Sequence, residues 1–87
     1  MFAEVHIYTT RIQDLREEIY NLRDSKDELD VLIEQERAAI APLGLTTNSA
    51  IEFYEGRREV KLRFIEITRE EIKQEERRLL AAGKPIH

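Results

Sequence analysis

The stretch VHIYTTRIQDLREEIYNLRDSKDELDVLIEQERAAI, residues 5–40, decides the fold. Its seam reads Val5, Tyr8, Ile12, Leu15, Ile19, Leu22, Lys26, Leu29, Ile33, Glu36, Ile40, and the steps alternate three and four without a slip. β-Branched residues fill most of one heptad position and leucine most of the other, which is the composition of a coiled-coil seam. An apolar stripe of that length has to be covered by other helices. The chain therefore reads as all-α: a long antiparallel helical hairpin with coiled-coil heptads, oligomerising into helical bundles. Tyr8, Lys26 and Glu36 depart from the apolar pattern and are the first places to look for function.

Working outward, Pro42 and Gly44 end the first helix, because proline cannot continue the hydrogen-bond ladder and glycine accepts the turn. The spacing predicts one domain over 1–87, with a helix at 3–41, a loop at 42–49, a second helix at 50–82 and a tail at 83–87. Ser49 with Glu52 has the form of a capping box. Leu43 and Leu45 are expected to tuck back onto the bundle end, and Gly83 followed by Pro85 marks the second stop. The second helix carries two apolar stripes, Phe53/Val60/Phe64/Ile67 and Ile51/Ile65/Ile72/Leu79, as a helix packed on more than one neighbour would. A turn centred near residue 45 sets position n opposite roughly 90 − n. That register faces Asp24, Asp27, Glu28, Asp30, Glu34 and Glu36 toward Arg57, Arg58, Lys61 and Arg63, which fixes register more than it adds stability.

Composition excludes several classes. With 18 acidic and 14 basic residues the net charge is −4, the wrong sign for general binding to nucleic-acid polymers. There is no cysteine, hence no disulfide framework and no thiolate metal site. No apolar run reaches the ~18 residues of a membrane span, and the first residues lack the pattern of a signal peptide, so a cytoplasmic protein is expected. The only histidines are His6 and His87. The glutamates at 66, 70, 71, 75 and 76 thus lack the Glu-x-x-His partners of a di-iron bundle and read as a solvated face. No Ser/His/Asp set and no phosphate-binding glycine loop is present. The expectation is a protein that is no enzyme and holds no metal or cofactor.

Four groups of residues are candidates for binding. Lys26 either fixes register as a lone polar residue in the seam, snorkelling toward Asp30, or points into a pocket and neutralises an anion. Tyr8 is either core with its hydroxyl at the edge or a flat face for a nucleobase. The two lie about 27 Å apart along one helix, so a pocket shared by them needs a second subunit. Tyr54, Arg57, Arg58 and Lys61 recur at helical spacing and suit phosphate and base contact, or else pair with the acidic half of the first helix. Thr68 and Arg69 lie beside the Ile65/Ile72 stripe, where the threonine either back-bonds to the preceding turn or meets a ligand.

A short all-helical chain with two long antiparallel helices, no catalytic residues, a tyrosine in its N-terminal half (Tyr8, with Tyr20 as the competing choice) and Lys26 resembles a family of phage anti-defence proteins. These are the helical-hairpin cyclic-nucleotide sponges that counter CBASS immunity, related to the hairpin domain of a Thoeris antagonist. The resemblance implies interlocked homo-oligomers, from dimer to hexamer, in the host cytoplasm. Cyclic dinucleotides would lie between protomers against Tyr8 and Lys26. A separate cyclic trinucleotide site would fall on the helix-two polar residues Tyr54, Arg57, Arg58, Lys61, Thr68 and Arg69. The ligand would be sequestered without cleavage. Two other readings stand beside it: an adaptor hairpin whose seam takes a partner helix, and a Rop-like hairpin dimer that binds RNA.

Overall fold

The computed structural model describes the backbone of residues 2–82 and the side chains of residues 9–81. Helix α1 runs Phe2–Ile40, a single 3-10 turn spans Ala41–Leu43, and helix α2 runs Ser49–Ala82. The two helices pack against each other as an antiparallel hairpin, a rod 65 Å in its longest dimension. Both ends of α1 and the start of α2 fall within one residue of the expected boundaries. The Gly83/Pro85 stop and the tail lie outside the described residues.

From Ile12 to Ile40, its described part, the seam of α1 turns toward α2. Ile12, Leu15, Ile19, Leu29, Ile33 and Ile40 are buried, and Leu22, Lys26 and Glu36 are half-buried. The facing row of α2 is Ile51, Tyr54, Arg58, Lys61, Ile65, Thr68, Ile72, Glu75 and Leu79, every one buried or half-buried. Those steps also alternate three and four, so α2 carries the same rhythm as α1. Arg58, Lys61, Thr68 and Glu75 mask it in any hydrophobicity pattern. The Ile51/Ile65/Ile72/Leu79 stripe is therefore the inner one. Phe53, Val60, Phe64 and Ile67 remain exposed.

Cross-helix ion pairs fix the register. The residue numbers of Asp30–Arg58 sum to 88, and those of Arg37–Glu55 and Arg16–Glu76 to 92, either side of the expected 90. The charge argument is only partly realised: of the acidic stretch 24–36 and its cationic counterpart, the pair that forms is Asp30–Arg58.

The turn differs from expectation in two ways. Asn48 caps α2, not Ser49: the Ile51 backbone N–H donates to Asn48 Oδ1 at 2.9 Å. Asparagine wins because its amide has a second arm, and Nδ2 donates to Glu36 Oε1 at 2.8 Å. One side chain thus satisfies an orphan donor at the helix start and ties that start to α1. This also accounts for Glu36, which breaks the seam where the cap needs an acceptor. Second, Leu43 and Leu45 do not fold back but stay exposed. The tip is already closed by Ile33, Ile40 and Ile51 with Tyr54 against them. The turn is short and its backbone is occupied, with the Gly44 N–H donating to Ala41 O at φ +74° and the Leu45 N–H to Ile40 O. Only glycine takes that left-handed φ without strain.

A cationic cleft at the edge of the seam

The seam leaves one edge of the hairpin where Arg16, Arg23, Asp30 and Arg37 of α1 run opposite Glu76, Arg69, Leu62 and Glu55 of α2. Each lies one residue after a seam position, so the heptad pairs them in rungs. Two rungs are ion pairs, Arg37–Glu55 at 3.0 Å and Arg16–Glu76 at 3.7 Å. Of the two rungs between them, one sets Asp30 against Leu62 and the other sets Arg23 against Arg69. Both arginines line one cleft of about 300 Å³, together with Lys26, Asp27, Ile65 and Glu66. Neither arginine makes an ion pair among the described residues.

Two further clefts flank this one on the same edge. One is lined by Arg16 against Glu76, the other by Arg37 and Arg58 against Asp30, Glu34 and Glu55. Only the central cleft has more cations than carboxylates, with Arg23, Lys26 and Arg69 against Asp27 and Glu66. Guanidiniums placed opposite one another repel unless an anion lies between them.

Lys26 forms part of the cleft, but its charge is engaged. Its side chain is 22% exposed, with Nζ 2.9 Å from Asp30 and 3.0 Å from Asp27. Asp30 also accepts from Arg58 Nε. The hydrogen bond from Lys26, helped by Arg58, holds the Asp30 carboxyl below its ordinary value of 3.8 against the opposing effect of burial. Asp30 and then Asp27 raise Lys26 above 10.5. A lowered carboxylate pKa contributes stability above 3.8 that is lost as pH falls through the folded value. Acid unfolding followed by circular dichroism should therefore show a steeper loss below about pH 4 for the natural chain than for Asp30→Asn. Parallel acid limbs for the two proteins would mean that this network has no part in folding.

The expected site residues separate. Lys26 and Arg69 meet in the cleft. Thr68 is buried in the seam, out of reach of a ligand. Tyr54 packs on the tip core, its ring inclined at 63° to that of Phe53 with 5.9 Å between centroids. Arg57 lies over the Phe53 ring at 5.6 Å, away from the cleft. Arg58 is bound to Asp30, and Lys61 is half-buried in the seam. Of the four, Tyr54, Arg58 and Lys61 lie in one row against α1 with their side chains half-buried, and Arg57 lies at the outer margin of that row over Phe53. The Tyr8 side chain lies outside the described residues.

Sequence reasoning missed Arg23, whose signal is the like-charged rung it makes with Arg69. It also missed Glu75, read as part of a solvated run. Glu75 sits in the seam with its side chain 6% exposed, held by Arg78 at 2.6 Å and Arg11 Nε at 3.4 Å. Among the described residues no three His, Cys, Asp or Glu side chains converge as metal ligands would, and no helix is long and apolar enough to cross a membrane. No family model, curated protein or solved structure matches the chain.

Proposed function

We propose that this hairpin is a non-catalytic binding protein that sequesters a small phosphodiester of the cyclic di- or trinucleotide class, as a phage-encoded sponge in the host cytoplasm would, and that the Arg23–Arg69 cleft takes the phosphate. The observation that carries the reading is the like-charged rung. Of the four rungs in that register two pair arginine with glutamate and one sets Asp30 against Leu62, and the one that sets like charges together falls in the cleft with excess positive charge. A guanidinium forks two hydrogen bonds to a phosphate, so two of them across a cleft suit a bridging anion. Lys26, held by Asp27 and Asp30, would add field more than contact. The anion chemistry rests on the cleft. The choice of cyclic oligonucleotides among phosphate-bearing ligands rests on the architectural resemblance and on Lys26.

Arg69→Glu separates this reading from a purely structural one. A glutamate there would pair with Arg23 as Glu76 does with Arg16 in the neighbouring rung, so the hairpin should become more stable, by about 0.2–1 kcal/mol. Calorimetric titration with a panel of cyclic di- and trinucleotides should meanwhile show affinity reduced by about tenfold or more. Unchanged affinity in Arg69→Glu would rule out the cleft as the phosphate site. A second reading, an assembly or adaptor hairpin without a small ligand, is favoured by the exposed row Phe53, Val60, Phe64 and Ile67.

A further inference from the structure

We infer that the central cleft selects a guanine-bearing cyclic dinucleotide, with Glu66 as the residue that reads the base. The inference rests on the phosphate reading of the same cleft and adds what lies beside the phosphate.

Glu66 is left without a partner where the sequence offers it one. The spacing Glu-x-x-Arg or Glu-x-x-Lys recurs along both helices, and side chains so spaced are neighbours on a helix surface. Glu34–Arg37, Glu70–Lys73 and Glu75–Arg78 form that pair, at 3.7, 3.9 and 2.6 Å. Glu55 and Arg58 are drawn across the hairpin instead, to Arg37 and Asp30. Glu66 and Arg69 have the same spacing, yet neither makes an ion pair or a side-chain hydrogen bond among the described residues. One cleft thus holds two guanidiniums without an anion and a carboxylate without a donor, beside the apolar side chains of Leu62 and Ile65. Asp27 lines it too, but its charge is taken by Lys26 at 3.0 Å, which leaves Glu66 as the acceptor.

Such a site is complementary to a molecule that carries an anion and, a short way off, N–H donors on a flat body. A nucleotide is one. Leu62 to Arg69 spans about 10 Å along α2, enough for a phosphate at one end and its base at the other. Among the bases, guanine suits a carboxylate best. Its Watson–Crick edge sets N1–H and a 2-amino N–H side by side, and an ionised carboxylate accepts from both at once. Adenine offers one donor beside an acceptor on that edge, and the acceptor faces the lone pairs of the carboxylate. The base would lie on Leu62 and Ile65, with the phosphate between Arg23 and Arg69.

Calorimetric titration of the full chain with cyclic di-GMP, cyclic di-AMP and cyclic di-IMP tests this. The natural chain should bind cyclic di-GMP about tenfold or more tighter than cyclic di-AMP. Cyclic di-IMP, which lacks only the 2-amino groups, should fall between them. Glu66→Gln decides the role of the side chain. Glu66 is exposed, so the substitution leaves packing intact, and glutamine keeps the helix while offering one acceptor and no charge. It should weaken cyclic di-GMP about tenfold and tighten cyclic di-AMP, because a negative charge near the phosphate is gone. A carboxylate acting only through its charge would tighten both alike, and that result would overturn the inference. A natural chain that binds the two with equal affinity would overturn it as well. In either case, loss of both ligands in Arg69→Glu would leave the phosphate site standing. No binding of any of the three would overturn the inference together with the reading it rests on.

Discussion

Ile51→Ala is expected to lower the unfolding free energy by about 3 kcal/mol, within the ~2–5 kcal/mol range for truncating a well-packed aliphatic side chain. Ile51 is the most completely buried large side chain, 1% exposed, and closes the tip core with Ile33 and Ile40. Its backbone N–H also donates to the Asn48 cap, so the side chain fixes the same turn of helix that the cap satisfies. The effect is large relative to the whole. A chain of 87 residues has about 4–13 kcal/mol of stability in total, from roughly 0.05–0.15 kcal/mol per residue. The melting temperature should drop by about 12–24 °C, at some 4–8 °C per kcal/mol for a domain this size. Urea unfolding at fixed protein concentration measures it, since self-association would make stability depend on concentration. Leu43→Ala, at a side chain 72% exposed on the same tip, is the control and should change stability by less than about 0.5 kcal/mol. A loss under about 1 kcal/mol for Ile51→Ala would mean the tip is not the packed end of the hairpin.

Glu75→Leu should act in the opposite direction and stabilise the chain by about 1–2 kcal/mol. The carboxylate occupies a seam position that heptad logic reserves for an apolar side chain, and it is desolvated there for the sake of two arginine contacts. Both arginines are mostly in water, Arg11 at 55% and Arg78 at 58% exposure of the side chain. Removing the acid therefore strands no buried cation, and leucine recovers the apolar burial. Removing an arginine is a different experiment: Arg78→Ala leaves the buried carboxylate with its single 3.4 Å contact to Arg11 and should destabilise. Thermal unfolding of the two variants decides the matter. If Glu75→Leu proved destabilising by more than about 1 kcal/mol, the acid would be holding the open end of the hairpin in register, and its burial would be a stabilising feature.

How much was legible depended on whether the signal was local. The α1 seam was readable because its residues are apolar and evenly spaced, and a helix of that pattern has only one way to bury them. The α2 seam was not, because Arg58, Lys61, Thr68 and Glu75 occupy it. The outer row of Phe53, Val60, Phe64 and Ile67 is as apolar as the inner one, so hydrophobicity cannot rank the two. The cap was half legible. Ser49 and Asn48 both suit the position, and the choice fell to the residue whose second hydrogen-bonding group reaches Glu36 on the other helix. Lys26 was identified as the break in the seam, but the pairing of its ammonium with Asp27 and Asp30 sets the weight of charge on Arg23 and Arg69 instead.

The sequence alone determined the hairpin. Its period, its breakers and its length are properties of neighbouring residues, and they leave two long helices joined by a short turn. The tertiary structure decided which polar residues meet. Arg23 opposite Arg69, Glu75 inside the seam and Asn48 tied to Glu36 each depend on register between segments far apart in the chain. A slip of one residue between the helices would rotate every side chain off its partner while leaving the local pattern unchanged.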